Sequence, residues 1–129
     1  MDLPVFYKNR MKFIVNCVYL SYYFHVQQKT MPTQSQIIHY LSTNKHTLCR
    51  KYHLTKLGIF GSYARNEQTR SSDLDLLVEF EDNTADLSDK KNILKHEIQA
   101  IFQIPVDICR EKYIKPLFRN HILADAIYV

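Results

Sequence analysis

The stretch that most limits what this chain can fold into runs from Lys56 to Phe80. A short apolar run, KLGIF, ends at Gly61-Ser62, and ten residues later the segment SDLDLLVEF opens with Asp73 and Asp75. The chain has only two glycines in 129 residues, so a glycine closing an apolar run marks a specific backbone requirement. KLGIF has the length and composition of a buried strand. SDLDLLVEF alternates, with Leu74, Leu76, Val78 and Phe80 on one side and Asp73, Asp75, Leu77 and Glu79 on the other. Two strands with a sharp corner between them, and acids at the mouth of the second, are the frame into which the rest must fit.

Helices are expected around that frame. Thr33 and Gln36 form a T-x-x-Q capping box, followed by Ile37, Leu41, Leu48 and Tyr52 on one stripe. Lys45, Arg50 and Lys51 lie off that stripe and near the helix end, where cations suit the dipole. SYARNEQ can make one or two helical turns, and Glu81–Asp86 reads as an acidic loop. Leu87, Lys91, Leu94, Ile98 and Ile101 give a second stripe with the lysine its one misfit. IPVDIC is a further short strand, with Ile104, Val106 and Ile108 on one face and Asp107 on the other. Pro116 then starts a helix running through Leu117, Phe118, Ile122 and Ala126. The order α-β-α-β-α-β-α predicts an α/β domain with a small sheet of at least three strands; strand direction stays open.

Composition narrows the classes. With 46% apolar and 23% charged residues the chain reads as globular. The net charge of +4 is unevenly placed. Residues 1–30 hold Lys8, Arg10, Lys12 and Lys29 against Asp2, leaving residues 31–129 with a net of +1. A nearly neutral body argues against nucleic-acid binding by bulk electrostatics. Cys17, Cys49 and Cys109 form no pairing or metal spacing, which fits a reducing, cytoplasmic setting. The run FIVNCVYLSYYF, Phe13–Phe24, is too short to span a bilayer and no small-residue cleavage site follows it. Residues 1–30 are expected to be an extension arising from start-site choice, with Met31 as the natural start, because the pattern from Met31 on, residues 31–129, reads as a whole domain without it. Deleting residues 1–30 should leave a folded, active protein; loss of solubility or activity would refute this.

Asp73 and Asp75, two apart on a strand, send both carboxylates from one face. Anions held this close raise each other's pKa, a cost removed by a divalent cation between them. Mg²⁺ suits such a site because it binds through one or two carboxylates, with water and phosphate oxygens completing its shell. If the IPVDIC strand lies beside SDLDLLVEF, Asp107 becomes a third carboxylate, and three can hold two ions of a phosphoryl-transfer site. Gly61-Ser62 supplies the anion side: a strand ending in glycine and entering a helix at serine offers free N–H groups to phosphate. Arg65, one turn on, can reach the same anion, or can instead pair with an acid such as Glu67 or stay solvated. Together these residues fit a nucleoside triphosphate.

The G-S-x10-D-x-D pattern resembles the signature of the DNA polymerase β-like nucleotidyltransferases. GSYAR…SDLDLLVEF looks like their minimal nucleotidyltransferase branch, and the likeness extends from about Lys45 to Val129. Members often have a second glycine where this chain has Asn66; asparagine tolerates positive φ, so the turn is expected to survive. The resemblance implies Asp73, Asp75 and Asp107 as ligands of two Mg²⁺ ions, with Asp107 also as base, and Gly61-Ser62 as the triphosphate cradle. It further implies an antitoxin that transfers AMP from ATP to a tyrosine of a HEPN toxin. Two alternatives accompany it: a non-catalytic antitoxin that neutralises by contact, and an aminoglycoside-type nucleotidyltransferase. The second usually needs an added helical domain, for which little chain follows Asp107.

Other patterns read as structure. His39, His46 and His53 recur every seven residues, about 10 Å apart on a helix, too far to share an ion. Tyr19, Tyr22 and Tyr23 cluster without a basic groove, which argues against a nucleic-acid stacking platform. Cys109 shares the Asp107 face and is assigned no role.

Overall fold

The computed structural model describes residues 30–129, so the expectations placed on the preceding segment lie outside the described residues. Helix α1 (Gln34–Tyr52) opens on the expected capping box. The Gln36 N–H donates to Thr33 Oγ1 at 3.2 Å, and the Thr33 N–H donates to Gln36 Oε1 at 2.9 Å. Its buried residues are Ile37, Leu41, Leu48 and Tyr52, the predicted stripe. The helix stops at His53, whose left-handed backbone (φ 56°, ψ 47°) turns the chain into the sheet.

The remaining elements are β1 (Leu54–Phe60), the one-turn helix α2 (Gly61–Ala64), β2 (Leu74–Phe80), α3 (Leu87–Phe102), β3 (Val106–Arg110), a 3-10 turn (Glu111–Tyr113), α4 (Pro116–Asp125) and β4 (Ile127–Tyr128). The sheet order is β3-β2-β1-β4. β1 pairs antiparallel with β2 and with β4, whereas β2 and β3 run parallel. Parallel neighbours cannot be joined by a tight turn; α3 supplies the crossover.

One face of the sheet carries Leu57, Ile59, Leu74, Leu76, Val78, Phe80, Val106 and Ile108, packed with Ile37, Leu41, Leu48, Leu94 and Ile98 of α1 and α3. The opposite face follows from alternation: Asp75, Leu77 and Glu79 on β2, and Asp107 and Cys109 on β3. This is the α/β fold expected, with three corrections. The last helix ends at Asp125, and Ala126 leads into a fourth strand instead of continuing the helix. Asp73 precedes β2 instead of lying on it, because pairing with β3 begins at Leu74↔Val106. Ile101, placed on the second apolar stripe, is 41% exposed, because Phe102, four residues after the buried Ile98, takes the inward position in the last turn of α3.

The fourth strand explains Gly58, the glycine to which spacing and motif gave no role. Gly58 pairs with Tyr128, and a Cβ there would meet Ile127 O at 2.5 Å and Tyr128 Cα at 3.0 Å. Only hydrogen at that position lets the C-terminal strand lie against β1.

Candidate active site

The sheet topology brings one set of strand ends together. β1 is antiparallel to β2, so the end of β1 lies beside the start of β2, with Phe60 opposite Asp75. β3 is parallel to β2 in a register that sets Asp107 opposite Asp75. Neighbouring strands are about 4.8 Å apart. Gly61-Ser62, Asp75 and Asp107 therefore span three adjacent strand positions at one end of the sheet, with Asp73 at the rim.

Gly61 and Asp75 are in direct contact. Gly61 has φ +71°, a conformation that L side chains rarely adopt, and a Cβ there would overlap the Asp75 carboxylate. The glycine thus serves the acid as much as any ligand: without it the carboxylate and the corner cannot share this space. The corner continues as a single turn in which Arg65 N–H donates to Gly61 O at 3.1 Å and Glu67 N–H to Ser62 O at 2.9 Å. The first N–H groups of such a turn have no acceptor within it. One turn has little macrodipole, so any pull on an anion at this corner comes from local donors, not from a helix field. Asn66 takes φ 57°, the positive value expected where relatives of the resembled family carry glycine.

The electrostatics are uneven. Burial pushes Asp75 up to about 6; the Asp107 and then the Asp73 carboxylates add to the rise, and Arg65 opposes it. Cys109 on the same face is raised by burial, then by Asp107. A half-buried carboxylate between two others, beside backbone donors, is an oxygen-rich, anionic donor set of the kind that fits a hard divalent cation such as Mg²⁺. The three carboxylates do not close into one cage, however. Among the described residues no three His, Cys, Asp or Glu side chains stand together as a metal-holding group. Asp107 Oδ1 accepts the Ile108 N–H at 3.0 Å, which turns this carboxylate toward its own backbone, and Asp73 is exposed at the rim.

Arg65, expected to reach an anion, is held by acids. Its Nε donates to Glu67 Oε2 at 3.0 Å and a terminal nitrogen to Asp125 Oδ2 at 3.3 Å. The second pair ties the end of α4 to the corner. Nothing in the sequence marked Asp125 for this, because its partner lies 60 residues away.

A short α/β sheet with a glycine-serine corner abutting an acid-lined strand end is the arrangement of a nucleotidyltransferase domain. The chain belongs to the nucleotidyltransferase domain family, whose pattern matches residues 41–129. It is a minimal nucleotidyltransferase within that family, as its signature indicated. It is 37% identical over 100 residues to a Methanocaldococcus jannaschii chain named as a protein adenylyltransferase, covering 77% of this chain and 100% of that relative. It is 30% identical over 99 residues to the protein adenylyltransferase MntA of Thermococcus cleftensis, covering 77% and 98%. A solved structure described as a minimal nucleotidyltransferase superposes with a TM-score of 0.64 at 28% identity, covering 76% of this chain and 97% of that one. A chain from a toxin–antitoxin crystal structure with AMP-PNP shares the fold at TM-score 0.53 and 19% identity, covering 67% and 69%.

Proposed function

We propose that this chain transfers AMP from ATP to a hydroxyl of a partner protein, a tyrosine of a HEPN toxin, and so acts as its antitoxin. The observation that carries this reading is the contact between Gly61 and Asp75, which joins an anion corner to a carboxylate without a filled gap between them. The relatives named as protein adenylyltransferases support AMP as the transferred group, and the minimal nucleotidyltransferase resemblance supports a toxin as acceptor.

In this reading the backbone N–H groups of Gly61 and Ser62 orient the triphosphate. Asp73, Asp75 and Asp107 would hold Mg²⁺, which when bound supplies neutralisation of phosphate charge. Asp107 leaves its Ile108 N–H and takes the proton from the acceptor hydroxyl. The hydroxyl oxygen bonds to the α-phosphorus while the bond from that phosphorus to the β-phosphate oxygen breaks, so pyrophosphate departs with its electron pair.

The test is to incubate the protein with α-labelled ATP, Mg²⁺ and the product of the adjacent reading frame, and to repeat with Asp73→Ala plus Asp75→Ala. Label on the partner that vanishes in the double variant supports the enzyme. Neutralisation that persists without the carboxylates replaces it with an antitoxin acting by contact alone.

A further inference from the structure

We infer that the exposed start of α4, with the 3-10 turn before it, is the docking surface for the acceptor protein, and that it takes an acidic segment bearing an apolar stripe. This rests on the proposed transfer to a protein acceptor and names the surface that would present it.

The helix is unusual in burying none of its residues. Leu117 is 83% exposed, Phe118 51% and Tyr113 67%. Three large apolar side chains within six positions form a patch of the sort that marks interaction sites, whereas scattered single ones need no explanation. From Lys112 to Ala124 the chain carries Lys112, Lys115 and Arg119 and no acid. Glu111, at the head of the 3-10 turn, is buried against Lys56 and Arg119, so Lys112 and Lys115 supply the rim charge around the exposed apolar side chains, which selects an occupant with acids flanking apolar anchors.

The patch is also held in place before any partner arrives. The Arg110 guanidinium lies 4.7 Å from the Tyr113 ring centroid and 5.5 Å from that of Phe80, and Glu79 Oε1 fixes it from below at 2.6 Å. Arg119 donates to Glu111 O at 3.0 Å. An anchored aromatic loses little freedom on binding. A groove of about 390 Å³ beside the patch has Lys112 and Arg119 on one side but Glu81 and Asp82 on the other. An acidic segment is thus directed along α4, not across the groove.

α4 also leads to the catalytic corner. Its ten residues span about 15 Å, and its last residue, Asp125, pairs with Arg65. A protein seated on Leu117 and Phe118 would hold its hydroxyl-bearing segment about a helix length away, near Asp75.

The experiment measures complex formation between the full chain and the adjacent-frame product by isothermal titration, at low salt and at about 0.3 M salt. It compares wild type with Lys112→Glu plus Lys115→Glu, Leu117→Ser plus Phe118→Ser, and Asp73→Ala plus Asp75→Ala. We expect the charge-reversed variant to weaken binding about tenfold with a smaller salt dependence. The apolar variant should lose about thirtyfold or more, and the carboxylate variant should bind as wild type does. In the labelling assay the two surface variants should raise the KM for the partner and leave kcat unchanged. Binding of wild type without labelling would refute the transfer reading while leaving the docking surface intact. Equal binding by all variants, or no binding by wild type, would overturn the docking surface. So would wild-type self-association that the apolar variant abolishes, or wild-type binding to anionic lipid vesicles at the same salt. Circular dichroism confirms that the exposed substitutions leave the fold unchanged.

Discussion

Replacing Asp75 with asparagine should make the metal-free protein more stable. Asp75 is raised from 3.8 to about 6 by burial and by the neighbouring Asp107 and Asp73 carboxylates. A shift of that size corresponds to about 3 kcal/mol between protonation states. The side chain is only half buried, so solvent screening reduces the usable figure to roughly 1–2 kcal/mol. The sign follows from linkage: the unfolded chain releases this proton near pH 4 and the folded chain near pH 6. Stability from this group is complete below pH 4, declines as pH rises through 6, and is absent above it.

Asparagine has nearly the same shape and carries no charge. In thermal unfolding with EDTA at pH 7.5, Asp75→Asn should raise Tm by roughly 3–10 °C, taking about 3–5 °C per kcal/mol for a domain of this size. At pH 4.5 the gain should shrink to about a third, and it should approach zero only below pH 4, where the unfolded carboxyl is protonated as well. Adding Mg²⁺ at pH 7.5 should stabilise wild type and leave the variant unmoved, reversing the order. A variant less stable than wild type at pH 7.5, or a Tm difference that ignores pH, would show that the carboxylate is not held against repulsion and would remove the electrostatic case for a cation site.

Gly61→Ala forces a side chain into a φ of +71° and into the Asp75 carboxylate; it should cost roughly 1–3 kcal/mol in urea unfolding and abolish ATP binding in a fluorescence titration. Gly58→Ala meets Ile127 O and Tyr128 Cα, so it should detach β4 and lower stability by roughly 1–3 kcal/mol, with hydrogen exchange accelerating at Val129. Glu111 is held below the usual carboxylate range by the Tyr128 hydroxyl and then by Lys56. Glu111→Ala should cost roughly 2–4 kcal/mol in urea unfolding, and the wild-type advantage should fade as pH drops below about 4.5 and Glu111 protonates.

The sequence carried those features of the fold that depend on local pattern. The Thr33 capping box, the Ile37–Tyr52 stripe and the alternation of β2 all appear as expected, because each is fixed by spacing alone. β4 was illegible because two residues are too few for a period, and its position depends on Gly58 making room for it on β1. The parallel pairing of β2 and β3 was in principle readable from the sixteen residues of α3, which no antiparallel hairpin needs. At the site, residue types were legible and directions were not. Spacing located Asp107 on a later strand, and the register places it opposite Asp75. The bond from Ile108 N–H that turns its carboxylate aside is a choice of rotamer, which spacing cannot encode. Of the two partners of Arg65, Glu67 was legible from its nearness in the chain, whereas Asp125 was not, since that pairing depends on how α4 returns to the corner.

The same sheet carries acids at both ends, and their treatment differs. Away from the Gly-Ser corner, Glu79 takes a two-pronged Arg110 at 3.1 and 2.6 Å and a backbone N–H from Lys112. Glu111 is surrounded by Lys56, Arg119 and Tyr128. Both are held below the ordinary carboxylate range. At the corner the trend reverses: among the described residues no lysine or arginine forms an ion pair with Asp73, Asp75 or Asp107, and Asp75 is pushed up. The guanidinium that acts on Asp75, Arg65, is directed to Glu67 and Asp125 instead. A fold able to neutralise its structural acids this fully has no general shortage of cations. Asp75 and Asp107 on adjacent strands, with Asp73 at the rim, are left without such partners; under the proposed function that charge is met by a cation arriving with the substrate, and the stability gained by Asp75→Asn measures what the arrangement costs when no cation is bound.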